Sequence, residues 1–296
     1  MQVADLRVVT TAPATLVWQL VGNDGEPADP GTVLVTVRRA DGTEIATGQA
    51  TTGTGTAART YTLTPAQTRQ LDELTVDWKV GGDTYHSQTV AVVGGAYFSN
   101  AEMRGAFPGV RDQPEFSKDL LSLARGQVED KVERWTHQAW VPRVSIEAPC
   151  VSSGRHLIVS FPTVRRVRTV EFVDGATGGV VASLSPAECA AIPASGSGLL
   201  YRPGGWSSAG DLVRVVYEHG ANCPTPTLKA AAMRLCREVL AKSKGAGLPE
   251  NAVSASSTEL GWSMVLVTPG VRGAHTAIPD VNEAVDTHTF EMFGVG

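Results

Sequence analysis

Phe116-Ser117-Lys118-Asp119-Leu120-Leu121-Ser122-Leu123-Ala124-Arg125-Gly126-Gln127-Val128-Glu129-Asp130-Lys131-Val132-Glu133-Arg134-Trp135-Thr136-His137 is the stretch that decides how this chain is organised. Phe116, Leu120, Leu123, Val128, Val132 and Trp135 recur at helical rather than strand spacing. Lys118, Asp119, Arg125, Glu129, Asp130, Glu133 and Arg134 fall on the other face, which predicts a long amphipathic helix ending near His137. Text of a different kind lies on either side of it.

Before this helix the chain is rich in Thr and Val. Short alternating runs over 16–21, 33–37, 43–50, 59–63, 74–80 and 85–93 are separated by turn signals such as Asn23-Asp24-Gly25, Asp41-Gly42 and Gly81-Gly82-Asp83. Strands at such intervals predict a β-sandwich. It is immunoglobulin-like in layout only, for it lacks the Cys-Trp-Cys spacing of antibody domains. Thr64-Pro65-Ala66-Gln67 predicts a short helical crossover, with Pro at the first helical position. Ser99-Asn100-Ala101-Glu102 fits a capping box that opens a helix, and Phe107-Pro108-Gly109 stops it.

Beyond the long helix, 144–217 is rich in β signals, with strands expected over 157–161, 167–173, 180–184, 198–202 and 212–217. Asp174-Gly175 and Pro203-Gly204-Gly205 mark turns. A second helix is expected from Pro226 or Thr227 to Lys244, burying Leu228, Ala231, Ala232, Leu235, Val239 and Leu240 and ending at Gly245. The remainder is polar and Gly-linked, with a hairpin expected about Leu260-Gly261 and a short helix from Pro279 to about His288. It holds too little apolar surface to fold alone and is expected to dock on something else. The class is therefore α+β and multidomain: 1–95 a sandwich, 96–247 a two-helix core with a β-rich insertion at 144–217, and 248–296 a hairpin and extended arm.

The chain has 296 residues, 42% of them hydrophobic and 19% charged, which excludes wholesale disorder. Its formal charge is -5, with 25 Lys and Arg against 30 Asp and Glu, contrary to the basic balance of a phosphate-gripping protein. No run approaches a membrane span, and 1–9 lacks the apolar core of a secretory signal, so a cytosolic origin is expected. Cys150, Cys189, Cys223 and Cys236 show no zinc spacing; four free thiols are the default, with a disulfide or metal site as alternatives.

Chemistry is sparsely signalled. The chain contains no HExxH, GxSxG, P-loop or Rossmann fingerprint. His219 close to Cys223 could serve a nucleophile, or could merely leave a strand before a loop. Glu129, Asp130 and Glu133 make an acidic helix face of the sort that solvent ordinarily covers. Arg165, Arg166 and Arg168 form the basic cluster; on a strand Arg166 and Arg168 share a face and could meet phosphate or an acidic partner. Phe172 is the nearby aromatic and is as readily core. Trp135 and Trp140 could flank a sugar, although Trp135 lies on the apolar stripe. No cofactor, metal or catalytic residue is expected, and the chain is read as no enzyme.

Several segments, taken in order, resemble the head-to-tail adaptor (connector) proteins of long-tailed phages of actinobacteria. They are Ala124-Arg125-Gly126-Gln127-Val128-Glu129-Asp130 with Trp135-Thr136 and Trp140-Val141-Pro142-Arg143; Phe161-Pro162-Thr163-Val164-Arg165-Arg166-Val167; Leu200-Tyr201-Arg202-Pro203-Gly204-Gly205-Trp206; Val215-Val216-Tyr217-Glu218-His219-Gly220; Thr268-Pro269-Gly270; and Thr276-Ala277-Ile278-Pro279-Asp280-Val281. The resemblance spans roughly 98–288. The large β insertion and the N-terminal sandwich depart from the family.

The resemblance implies a structural virion protein in the head-tail neck, assembled in the host cytoplasm. It would form a twelvefold ring between portal and stopper or head-completion protein, with genomic DNA passing through unbound. It further implies that Ile278, Pro279 and Val281 anchor the arm on the portal. Glu129, Asp130 and Glu133 are then candidates for the lumen or for contacts between subunits, and Arg166 and Arg168 for partner contacts. A closed ring needs head-to-tail contacts between copies, and an acidic average charge suits a channel through which DNA slides. The alternatives are another virion binding module, whose sandwich binds capsid or carbohydrate, and a hydrolase using Cys223.

Overall fold

The computed structural model describes residues 6–22, 25–111, 116–206, 211–243, 254–257, 262–265 and 275–290. By contacts the chain divides into two compact units, each built from two segments: Met1–Gly95 with Val141–Asn222, and Ala96–Trp140 with Cys223–Gly296. The β-rich stretch read as an insertion in the helical core thus groups with the N-terminal strands. Its sheet packs against the short helix over Pro186–Ala190, whose Cys189 joins its core, and contacts the N-terminal strands.

The first unit opens with β1 (Leu6–Val9), β2 (Ala14–Trp18), β3 (Val33–Arg38), β4 (Glu44–Ala50), β5 (Arg59–Leu63), β6 (Asp72–Val80) and β7 (Asp83–Val93). Five of them form a sheet in the order β1-β7-β6-β3-β4, and β2 pairs with β5 as a separate ribbon. β1 runs parallel to β7, while β6 pairs antiparallel with both β7 and β3. Period-two alternation drives the packing. Leu74, Val76 and Trp78 of β6 point into one core with Val35 and Val37 of β3, Val90 and Val92 of β7, and Leu16 and Leu63 from the ribbon.

Two expectations fail in this region. β1 was not anticipated, because four residues beside a chain terminus show no alternation; its pairing with β7 makes it a strand. The expected helical crossover at Thr64 is a single turn, closed by Gln67 N–H to Thr64 O (3.0 Å) and Thr68 N–H to Thr64 O (3.2 Å).

The same unit continues with β8 (Arg143–Ser153), β9 (His156–Ile158), β10 (Val164–Asp174), β11 (Val180–Ser183), α4 (Pro186–Ala190), β12 (Leu199–Tyr201) and β13 (Asp211–His219). The six strands form one sheet, β11-β10-β13-β8-β9-β12. Its core contains Leu157, Phe161, Val164, Val167, Val170, Leu200, Trp206, Val213, Val215 and Tyr217. β8 escaped the sequence reading because Glu147, Pro149 and Cys150 interrupt its alternation, and a register shift opposite Val213 and Val215 accommodates them. α4 also went unread, although Ser185 and Glu188 form a full capping box around Pro186.

The second unit is helical: α1 (Asn100–Ala106), α2 (Pro108–Arg111), α3 (Lys118–Thr136), α5 (Pro226–Ser243) and α6 (Pro279–His288), with the hairpin β14 (Ser254–Ser257) and β15 (Trp262–Val265). The predicted capping box at Ser99 is present in both directions. Phe107 is extended, as a residue before proline must be, and ends α1. Ser117 caps α3 by accepting from Leu120 N–H, and His137 leaves the helix in the left-handed region at φ 52.

The buried stripe of α3 is Leu121, Ala124, Val128, Glu129, Val132, Glu133 and Thr136, whereas Leu123 is exposed. The stripe is offset by one residue from the sequence reading at both ends, with Leu121, Ala124 and Thr136 buried in place of Leu120, Leu123 and Trp135, and it takes in two glutamates. α5 buries Leu228, Ala231, Ala232, Leu235, Cys236 and Leu240, close to expectation. The helix stop at Gly245 and the turn at Leu260-Gly261 lie outside the described residues.

Candidate functional site

Glu129 and Glu133 are 2% and 1% exposed, so neither lies on an open surface of the protomer. Glu129 Oε1 accepts the backbone N–H of Tyr97 at 2.8 Å and faces Arg125 Nε at 3.7 Å. Glu133 Oε1 accepts from the Tyr97 phenol at 3.4 Å. These carboxylates pin the segment that enters α1 against α3. Asp130, the third residue of the acidic face, is half-buried.

Val281 is fully buried within its own protomer, in a cluster with Ala231 of α5 and with Ala284 and Val285 of α6; Trp135 and Ile278 pack against it. Further contacts hold α6 in place. Arg234 pairs with Asp280, His275 stacks on Trp135 at 5.1 Å, and His288 Nε2 lies 2.9 Å from Thr225 Oγ1. Helix α6 packs on α3 and α5 of the same chain. As folded, its apolar face is not presented to a partner.

Arg166 and Arg168 meet as the strand period required. Register shifts on β10 bring both beside Glu218 of β13, whose Oε1 accepts from Arg166 Nη2 at 2.7 Å and from Arg168 Nε at 2.8 Å. Arg168 also donates to the carbonyl of Leu71 at 2.8 Å, tying the two sheets of the unit together. The Arg166 side chain remains 63% exposed. Both arginines line a cleft of about 590 Å³ with Arg69, Asp41, Asp72 and Glu218. Guanidinium and carboxylate groups are equal in number there. A phosphate ligand calls for a surplus of cations, whereas a protein surface of mixed charge is matched by such a lining.

His219 and Cys223 do not make a catalytic pair. His219 is fully buried, its Nε2 is 2.8 Å from Ser145 Oγ, and Phe161 stacks on its ring at 4.3 Å. Cys223 is exposed and belongs to the other compact unit. Ser145 was missed with the rest of β8, and so was Glu147. The Glu147 carboxylate takes the Tyr217 phenol together with Ser160 N–H and Oγ. Burial and that carboxylate push the Tyr217 phenol far above its usual range. Tyr217 and His219 are fully buried, Glu147 is half-buried and Ser160 is exposed.

All four cysteines are free. Among the described residues no cluster of metal-ligating side chains occurs, and no helix is long and apolar enough to cross a membrane.

No family model and no curated protein matches the chain. Three solved structures share a distant likeness. A chain in the neck of an empty GTA particle, computed with C6 symmetry, is 14% identical over 56% of this chain and 84% of its own length, with a TM-score of 0.40. A chain of the virion of a native gene transfer agent (GTA) particle is 16% identical over 67% of this chain and 92% of its own, at 0.39. A chain in the neck of the native GTA particle, computed with C12 symmetry, is 16% identical over 64% and 93%, at 0.37.

Proposed function

We propose that the protein is a structural component of a phage-like virion neck: a head-to-tail adaptor that closes into a ring between portal and stopper and extends the DNA channel. It acts by shape and not by catalysis. The observation that carries this reading is where the ordered motif residues lie. Trp140, Phe161, Trp206, Tyr217 and His219, taken from four separate segments of the adaptor resemblance, are all buried. The resemblance thus follows the residues that build the fold. The helix pair α3 and α5, with the strand-rich stretch between them in the chain and α6 at its end, follows the same order.

The exposed guanidinium of Arg166 and the balanced cleft beside it supply a surface for a neighbouring copy or for the portal. The N-terminal sheets serve as an immunoglobulin-like accessory domain. Anchoring of the arm by Ile278, Pro279 and Val281 would follow release of α6 from α3 and α5. The test is assembly. Purified chain imaged by negative stain, alone and mixed with its portal protein, is expected to show closed rings, twelvefold if the resemblance extends to copy number. A monomer that neither closes nor binds portal would refute the reading.

A further inference from the structure

We infer that the charged cleft of one copy receives the acidic outer face of α6 from the next copy, in a head-to-tail contact. The charges of the cleft are even in number but unevenly committed. Asp72 is 3% exposed; it pairs with Arg39 and accepts the N–H groups of Ala40 at 3.3 Å and Glu73 at 3.0 Å. Arg39 does not line the cleft, so it cancels one lining carboxylate from outside. Glu218 is shared by Arg166 and Arg168, and Arg168 is held further by the carbonyl of Leu71. Two guanidinium groups keep donors to spare. Arg69 is exposed and makes no hydrogen bond or ion pair among the described residues. Arg166 gives one N–H to Glu218 and leaves its side chain 63% exposed. Against them stands exposed Asp41, whose Oδ1 already accepts from Thr43 N–H at 2.9 Å. What the cleft offers a partner is mainly positive.

The complementary surface lies on α6. Val281, Asn282, Ala284 and Val285 are its buried residues, which leaves Asp280, Glu283 and Asp286 exposed at intervals of three. Helical residues three apart are neighbours on the surface, and these three span a rise of about 9 Å. Of α3, α5 and α6, only α6 contains no Lys or Arg. Asp280 meets Arg234, and Asp286 lies 3.7 Å from His275 Nε2, yet their side chains stay 65% and 67% exposed. Glu283 is exposed and has no ion pair among the described residues.

This pattern selects a second copy as the occupant. A ring closes through two different surfaces on each subunit, and the cleft and the outer face of α6 are two such surfaces with opposite unspent charge. Complementary charge of this kind fixes register and suppresses wrong partners. Nucleic acid presents a continuous row of phosphates, which Asp41 and Glu218 oppose. The contact rests on the ring reading above and names the surfaces within it.

Sedimentation velocity of the full-length chain across a salt series tests the contact. Self-association at low salt that weakens as salt rises is expected. Arg69→Glu and Glu283→Arg each reverse a charge with no ion pair among the described residues. Each should keep the parental thermal midpoint and weaken association by about tenfold or more. Mixing the two variants should recover association, because each then offers a surface that fits the other; a folding defect is not repaired by mixing. A wild-type chain that stays monomeric at low salt overturns the contact, and the ring reading then rests on its own test with portal. Association that either reversal leaves unchanged, or that mixing fails to recover, overturns the contact alone. A DNA gel shift that Arg69→Glu abolishes, with association unaltered, assigns the cleft to nucleic acid and overturns it as well.

Discussion

Glu129 is the residue on which the entry to the helical unit turns. Its carboxylate satisfies a buried backbone N–H and faces Arg125. Removing one partner of a buried charged pair costs several kcal/mol, because the other is left uncompensated. Glu129→Ala should therefore lower stability by about 3 kcal/mol in urea unfolding, and Glu129→Gln, which keeps an acceptor, by clearly less. Protonation chemistry gives a second prediction at this scale. Burial pushes the Cys236 thiol up to about 12, so the folded chain keeps a proton that the unfolded chain releases near pH ~8.5. A raised folded-state value means stability is complete below about pH 8.5 and declines as pH rises toward 12. Tyr217, raised by burial and then by Glu147, adds to the same loss above pH ~10. Urea midpoints between neutral and alkaline pH should fall, and Cys236→Ala should flatten the slope.

At the scale of elements, two junctions govern order. Gly198, just before β12, has φ +73, and a Cβ there would lie 2.8 Å from the carbonyl oxygen of Val159. The same close approach lets Val159 N–H donate to Gly198 O at 2.9 Å. Gly198→Ala should cost about 2 kcal/mol and loosen β12 from β9, read as faster amide exchange at Leu200. The docking of α6 is the other junction. Val285 is fully buried among Ala231, Val281 and Ala284. Val285→Asp places an unpaired carboxylate in that contact and should release α6 while the β-rich unit keeps its stability. Hydrogen exchange should rise over 279–288 and along the facing side of α5. If exchange there is unchanged, the helix is not held by this contact.

For the whole molecule, the prediction is mechanical. If copies close into a ring through the Arg166 cleft, as proposed, that ring should weaken with salt, since exposed charges are screened over about 10 Å at 0.1 M. Arg166→Glu should reduce ring formation in negative stain while lowering the thermal midpoint only slightly, because its side chain is largely solvent-exposed and Arg168 still pairs with Glu218. Rings that form equally well in Arg166→Glu would move the subunit contact away from the cleft.

The local elements were largely legible. Period and caps placed α1, α3, α5 and α6, because helix ends and faces are written in neighbouring residues: Ser99 with Glu102, Pro279, and the stripe of α5. Alternation placed most strands of both sheets for the same reason. Elements whose stability comes from distant partners were not legible. β1 exists through β7, β8 through β13, and the buried side of α3 through a tyrosine that two glutamates hold. The candidate residues divide along the same line. That Arg166 and Arg168 share a face was expected from strand alternation, but two register shifts on β10 bring them to Glu218. That one glutamate claims both, that Val281 is spent inside its own protomer, and that a bulge gathers Tyr85 and His86 beside Trp18 were decided by tertiary structure. Local propensity depends on a few adjacent residues, whereas burial and partnership depend on which distant segments meet.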